Sequence, residues 1–274
     1  MEFDIKPASD YPLTDRVKLL NHGFENYLVP IQFNIPAFLA MLRKDSLDLS
    51  ASRVLLADEE PSGIALIARR GWASRLAGMG VSVGMRGRGA ETWFIEKLIR
   101  EACERQDREM VLEVIEGNGP TVRLYQKCGF QTVRRLIRLI HKNAAQQETS
   151  DCPEMDLREM GRLISQHGLP DLPWQLSAET IAQMTRPTRA YRKGPAYAVI
   201  SNPDTEHVVI WSLLVEPHAR GNSLGVDMLK NIIAHHVGKT WHVPAIYPEE
   251  FGQVFERAGF ERKELSQWQM RLAL

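Results

Sequence analysis

Cysteine is scarce, three residues in 274. Cys103, Cys128 and Cys152 are odd in number and form no C-x-x-C pair, so neither a disulfide framework nor a zinc site is indicated. An excess of one charge is missing too, with 34 basic side chains against 34 acidic ones, which removes any general attraction to nucleic acid or an anionic membrane. No apolar run approaches the ~18 residues of a bilayer span. The opening Met1-Glu2-Phe3-Asp4 lacks the basic-then-apolar pattern of a secretory signal. His167, His235 and His236 have no carboxylate or cysteine partner at metal-ligand spacing and read as surface groups. These absences predict a protein of the reducing cytoplasm with no nucleic-acid, membrane or metal partner.

What is present begins with a repeat. Arg86-Gly87-Arg88-Gly89-Ala90 is followed by Tyr125-Gln126-Lys127-Cys128-Gly129-Phe130, and Arg220-Gly221-Asn222-Ser223-Leu224-Gly225 by Phe255-Glu256-Arg257-Ala258-Gly259-Phe260. From loop arginine to the glycine of Gly-Phe the separation is 129 − 86 = 43 residues in the first copy and 259 − 220 = 39 in the second, which marks a duplication. The chain is long enough for two domains of roughly 130 residues, each able to bury its own core. At 44% apolar and 25% charged residues the composition is that of a soluble globular protein. The apolar-poor stretch Asn143 to Ser150 suits a linker, which gives domains at 1–143 and 154–274 joined by 144–153.

Both copies read as mixed α/β units. In the first, apolar residues at helical spacing, Val17, Leu19, Leu20 and Phe24, then Phe38, Leu39, Met41 and Leu42, predict two helices joined by a bend around Tyr27 to Phe33, with Pro36 opening the second. Arg53–Ala57 and Gly63–Ala68 form a hairpin about a polar turn, and a third strand runs from Ser74 to Val83. An amphipathic helix follows the glycine loop through Trp93, Phe94, Leu98 and Ala102. Then come a strand at Met110–Ile115, a short helix at Thr121–Lys127 closed by Gly129, and a strand at Arg135–His141. The second copy repeats this plan in shorter form. A strand, a glycine loop and a helix in that order gather backbone N–H groups where they can hold phosphate, which implies a nucleotide-like cofactor.

At these residues the chain resembles the GNAT acetyltransferase superfamily, with its loop signature Arg/Gln-x-x-Gly-x-Gly/Ala and its late motif Asn-x-x-Ala-x-x-Leu-Tyr-x-x-x-Gly-Phe. The late motif stands here as Asn118-Gly119-Pro120-Thr121-Val122-Arg123-Leu124-Tyr125-Gln126-Lys127-Cys128-Gly129-Phe130. Val83 stands where the family usually has proline, Glu91 replaces the last small residue of the loop, and Thr121 replaces the alanine. The resemblance covers nearly the whole chain and implies two tandem acyl-CoA-binding domains, each a mixed, mostly antiparallel sheet flanked by helices.

The resemblance further implies acetyl-coenzyme A held between two splayed parallel strands by Met79, Val81, Val83, Arg86, Gly87, Arg88, Gly89, Ala90 and Asn118. Gly87 and Gly89 would let the backbone approach a pyrophosphate that Arg86 and Arg88 help neutralise. Tyr125 corresponds to the acid that protonates the departing thiolate, and Glu113 to a general base; a core aromatic and a solvated strand glutamate are the plain alternatives. Glu25 and Tyr27 border the expected acceptor site. The implied activity is acetyl-CoA-dependent transfer to a primary amine of a small molecule or peptide, by a monomer or homodimer. A noncatalytic acyl-CoA-binding or sensor module is the alternative. In the second copy Ser223 replaces a loop glycine and Phe255, which has no proton to donate, replaces the tyrosine, so that half reads as catalytically retired.

Overall fold

The computed structural model describes residues 1–142 and 151–274; residues 144–150 of the expected linker lie outside them. In chain order the first elements are β1 (Phe3–Pro7), α1 (Leu13–Gly23), α2 (Ile35–Lys44), β2 (Arg53–Ala57), β3 (Glu60–Arg70), β4 (Ala73–Val81), α3 (Ala90–Glu104), β5 (Glu109–Ile115), α4 (Gly119–Lys127) and β6 (Gln131–Lys142). They are followed by β7 (Glu154–Met155), α5 (Leu157–His167), α6 (Ala178–Gln183), β8 (Arg189–Lys193), β9 (Ala196–Ile200), β10 (His207–Val215), α7 (Leu224–His235), β11 (Thr240–Pro248), α8 (Gly252–Arg257) and β12 (Glu261–Ala273). The fold is mixed α/β with mostly antiparallel strands, as expected; only β4 with β5 and β10 with β11 pair in parallel among the described pairings.

The chain divides into two compact units that are not contiguous halves. Unit 1 comprises residues 1–114, 118–133 and 269–274; unit 2 comprises 115–117 and 134–268. This differs from the expected boundaries, because the strand after each Gly-Phe leaves the unit whose motif precedes it. In unit 1 the late segment is tied in by the Leu274 N–H donating to the Arg108 carbonyl at 3.0 Å and by Arg271 Nε at 3.1 Å from Glu109. In unit 2, β6 pairs antiparallel with β11, and His141 on β6 rests on the Phe260 ring at 5.2 Å.

Within unit 1, β1 to β4 form an antiparallel run and β5 adds in parallel beside β4. Asp58 and Glu59 turn the β2–β3 hairpin with φ of 49° and 71°, the left-handed pair that matches strand twist. Asn34 caps α2 by accepting the Ala37 N–H at 2.8 Å, with Pro36 in the first turn, where its missing N–H costs nothing. The buried faces of the helices meet the sheet through Leu20, Phe38, Val54, Ile64 and Leu66 and through Phe94, Ile95 and Leu98 of α3. Along β5 burial alternates strictly, with Met110, Leu112 and Val114 buried, so Glu113 faces opposite to them as its spacing predicts.

Unit 2 repeats this order on β7 to β11, with Ile210, Leu229, Trp241, Val243 and Phe255 at its centre. His236, read from sequence as a surface group, is half-buried instead: Nε2 lies 3.2 Å from the Tyr191 hydroxyl and the ring stacks near Trp241 at 6.3 Å.

Candidate active site

In unit 1 the parallel pair β4 and β5 is joined only from Ala73/Glu109 to Arg75/Val111. β4 continues to Val81 and β5 to Ile115, so beyond Arg75 the two strands part and leave backbone groups unpaired by the neighbouring strand. Opposite the fork, pairing of β4 with β3 slips between Leu66 and Ile67, a bulge that leaves Ala77 without a counterpart and re-aims the strand. Met79 is half-buried and Val81 is buried on the following stretch, whereas Val83 lies in a short 3-10 turn, exposed.

The loop then turns through Gly87 and Gly89, whose φ values of 71° and 85° lie in the left-handed region, and Ala90 opens α3. The glycines are needed for that geometry. Arg86 does something other than the expected phosphate contact: Nη2 donates to the carbonyls of Gly23 at 3.0 Å and Glu25 at 2.8 Å, and Nε to that of Val81 at 3.4 Å. It satisfies carbonyls at the C-terminal end of α1, groups that a helix leaves without internal partners. Arg88 is exposed on the loop.

Where α1 ends it meets β4 backbone to backbone. A Cβ placed at Gly80 would lie 2.6 Å from the Gly23 Cα, so the contact exists only because both residues are glycine.

Three predicted residues come together. Asn118 caps α4 by accepting the Thr121 N–H and its side chain also hydrogen-bonds Tyr27. Tyr27 in turn neighbours Tyr125 and meets Phe24 edge-on at 5.2 Å. Burial, followed by proximity to Tyr27 and Cys128, pushes the Tyr125 phenol well above its ordinary pKa, so it carries its proton at neutral pH. Burial likewise raises Tyr27, opposed by the Asn118 hydrogen bond. Tyr125 packs on Phe130 at 5.7 Å.

Glu113 stands apart from that group in its chemistry. Its side chain is 3% exposed and its Oε2 takes both Arg75 Nη2, at 2.7 Å, and Arg75 Nε, at 2.8 Å. A proton bound for Glu113 would have to enter this closed pair. Glu25 is exposed, 3.9 Å from the His22 ring, beside the loop that Arg86 holds. Arg75 and the Gly23–Gly80 contact were not singled out from sequence; two glycines, Gly78 and Gly80, inside a strand pattern were the available signal.

Unit 2 reproduces the backbone construction of this fork and loop. β10 and β11 pair only from His207/Thr240 to Val209/His242, the β10 bulge falls at Trp211, and Arg220 donates to the carbonyls of Val215 at 3.0 Å and His167 at 2.5 Å, at the end of α5. Ser223 occupies the left-handed conformation of Gly89, φ 59°. The fork of unit 2 opens into a cavity of about 330 Å³, within the range of small-molecule sites. Among the described residues no cluster of three or more His, Cys, Asp or Glu side chains could hold a metal ion, and no helix is long and apolar enough to cross a membrane.

Comparison with known proteins agrees with this geometry. The pattern of the family described as Acetyltransferase (GNAT) matches residues 22–130. No curated protein sequence matches the chain. Among solved structures, the fold is similar to a GCN5-related N-acetyltransferase from Sphaerobacter thermophilus, at 14% identity over 99% of this chain and 95% of that one, TM-score 0.68. It is also similar to a tandem GNAT protein from the clavulanic acid biosynthesis pathway, at 14% identity over 98% of both chains, TM-score 0.66. A third, a GCN5-related N-acetyltransferase from Anabaena variabilis, shares 16% identity over 98% of this chain and 72% of that one, TM-score 0.64. Residues 22–130 thus match the GNAT acetyltransferase family, within a two-unit fold similar along its length to that of a tandem GNAT protein.

Proposed function

We propose that unit 1 is an acetyl-CoA-dependent N-acetyltransferase acting on a primary amine of a small molecule or peptide. The observation that carries this reading is the meeting of Tyr27, Asn118 and Tyr125 in the unit that also holds the β4–β5 fork and the glycine loop. The fork suits the coenzyme's arm because unpaired strand edges offer backbone hydrogen bonds to an extended amide-bearing chain. The left-handed Gly87 and Gly89 suit close approach of its pyrophosphate. Acetyl-CoA supplies the acetyl group as a reactive thioester.

In this reading the residues divide the work as follows. Met79, Val81 and Val83 align the donor along β4 with Gly87, Arg88, Gly89 and Ala90 at the phosphates, and a β4 amide polarises the thioester carbonyl. As the amine nitrogen bonds to the carbonyl carbon, the C–S bond breaks with its electron pair on sulfur. Tyr125 gives the sulfur a proton, the surplus proton on nitrogen leaves to water, and an equal proton returns to Tyr125 past Tyr27. Asn118 holds Tyr27 in place while capping α4. Glu25 and Tyr27 border the acceptor, whose ammonium group the Glu25 carboxylate attracts and which gives one proton to water before its nitrogen attacks. Arg75 and Glu113 act as a clamp at the point of the fork, a structural role instead of the base that the family resemblance implies.

The test is calorimetric titration of acetyl-CoA followed by an amine screen with thiol detection. Saturable binding that is lost in Gly89→Glu and turnover that falls in Tyr125→Phe support the assignment. Turnover that survives Tyr125→Phe at all pH values removes Tyr125 as the acid.

A further inference from the structure

We propose that unit 2 is a non-reactive receptor for an apolar acyl chain longer than acetyl carrying an anionic head, either a free carboxylate or a CoA thioester. The proposal is independent of the transfer reaction assigned to unit 1.

The cavity at the unit 2 fork is lined mostly by apolar side chains, among them Leu172, Leu176, Trp211, Leu213, Phe251 and Val254, and among the described residues the charged ones lining it are Arg220 and Arg257. Arg220 is committed to the carbonyls of Val215 and His167. Arg257 reaches Ser223 Oγ at 2.9 Å, which places a positive charge at the turn where α7 begins. An apolar interior with positive charge and no carboxylate on its wall selects an apolar tail joined to an anion.

The same site is built without the parts that would react. Phe255 stands where unit 1 has Tyr125, on the same edge-on contact, 5.5 Å to Phe260. Pro244 stands where unit 1 has Glu113, since Thr240 pairs with His207 as Glu109 pairs with Ala73 and each residue lies four further on. The backbone amide that would polarise a thioester is also taken. Leu213 corresponds to Met79, because Leu213 faces Ala198 across β9 as Met79 faces Ala65 across β3. The Leu213 N–H donates to the Tyr247 hydroxyl at 2.9 Å, and Tyr247 is 5% exposed. A thioester seated here finds that backbone amide already occupied by a side chain.

Gly225 gives a means of closing the cavity from within. Its Cβ position lies 3.2 Å from a Val254 methyl and 3.6 Å from Leu213 and Val215, so a longer side chain grows into the space the ligand would use. The test is calorimetry on the full chain with octanoate, octanoyl-CoA, acetyl-CoA and CoA, for the parent, Gly225→Met, Leu172→Trp and Arg257→Ala, the CoA probes being titrated into forms that also carry Gly89→Glu so that unit 1 does not take them. Thermal melts verify that each variant is folded, and Leu172→Trp serves if Gly225→Met is not. The proposal expects an octanoyl probe to bind at one site per chain, at least tenfold weaker in either cavity-filling variant and several-fold weaker in Arg257→Ala. Acetyl transfer by unit 1 should stay unchanged in all three. Binding of octanoate as tightly as octanoyl-CoA identifies a free acid as the ligand; binding of octanoyl-CoA alone identifies the thioester. The proposal is overturned if neither octanoyl probe binds the parent, or if filling the cavity leaves binding intact. It is equally overturned if a Tyr125→Phe protein still consumes octanoyl-CoA in an amine-dependent way that Gly225→Met abolishes. Loss of acetyl transfer in the parent bears only on unit 1.

Discussion

Arg75, in the last paired step of β4 with β5, reaches Glu113, two residues beyond its partner Val111 where the strands have begun to separate, with 7% and 3% of their side chains exposed. Removing one partner of a buried pair strands the other, at a cost of about 3 kcal/mol or more, whereas removing both for apolar groups is near neutral. Glu113→Gln should therefore lower the urea midpoint of unfolding substantially, and the double variant Arg75→Met/Glu113→Leu should recover most of the loss. Transfer activity in the folded double variant should stay within a few-fold of the parent. A hundredfold loss there would restore Glu113 as a proton acceptor.

Tyr125→Phe should separate chemistry from packing. Unit 2 already carries phenylalanine at this place, with Phe255 set against Phe260 much as Tyr125 is set against Phe130, so the ring alone satisfies the local packing. We expect kcat to fall by about a hundredfold, the usual scale for loss of a positioned acid, with KM for acetyl-CoA and the melting temperature nearly unchanged.

Gly80→Ala should dislodge α1. The added carbon would sit 2.6 to 2.8 Å from Gly23 backbone atoms, which cannot yield as a side chain end would, so the cost should reach or exceed the 1–3 kcal/mol or so of ordinary overpacking. Leu214 occupies the corresponding place in β10, opposite Tyr197 as Gly80 is opposite Ile64, so the intolerance belongs to the α1 contact and not to the strand. Denaturant unfolding of Gly80→Ala beside Gly84→Ala, whose Cβ meets nothing within 4 Å, makes the comparison.

Stability should decline on both sides of neutrality. Burial lowers His141, His236 and His242 below their ordinary value of 6.5, so the unfolded chain binds these protons more readily and stability is lost as pH falls through 6.5 and below. Burial raises Tyr125 and Tyr247 above their ordinary value of 10.0, so the folded state holds those protons longer and stability is lost as pH rises past 10. Melting temperatures between pH 5 and pH 11 should trace a dome, and His236→Gln should flatten its acid limb.

The duplication, the order of elements and the two loops were legible because each rests on local chemistry: glycines where φ is positive, asparagine caps at Asn34 and Asn118, alternation along β5. Two kinds of feature were not. Arg86 looks in sequence like a phosphate ligand, and only the return of α1 to β4 shows that carbonyls claim it first. The destination of the strands after Phe130 and Phe260 was hidden for a different reason. Gln131–Lys142 and Glu261–Ala273 are similar in pattern, and a period-2 strand does not state which neighbour it will choose. Ser223 and Phe255 mark the second unit as retired, but its cavity is lined by Leu172, Trp211 and Gly225, which stand far apart in the chain, and only Gly225 belongs to a motif.

The membership of residues 269–274 in unit 1 sets an order of events during synthesis. The residues of unit 1's fork and loop and Tyr125 have all been made once Phe130 has been added, yet the segment that ties down Arg108 and Glu109 is made only after nearly all of unit 2. The edge of β5 must therefore wait, uncovered, while the rest of the chain is translated. A gene cut after residue 143 would yield a protein held permanently in that waiting state.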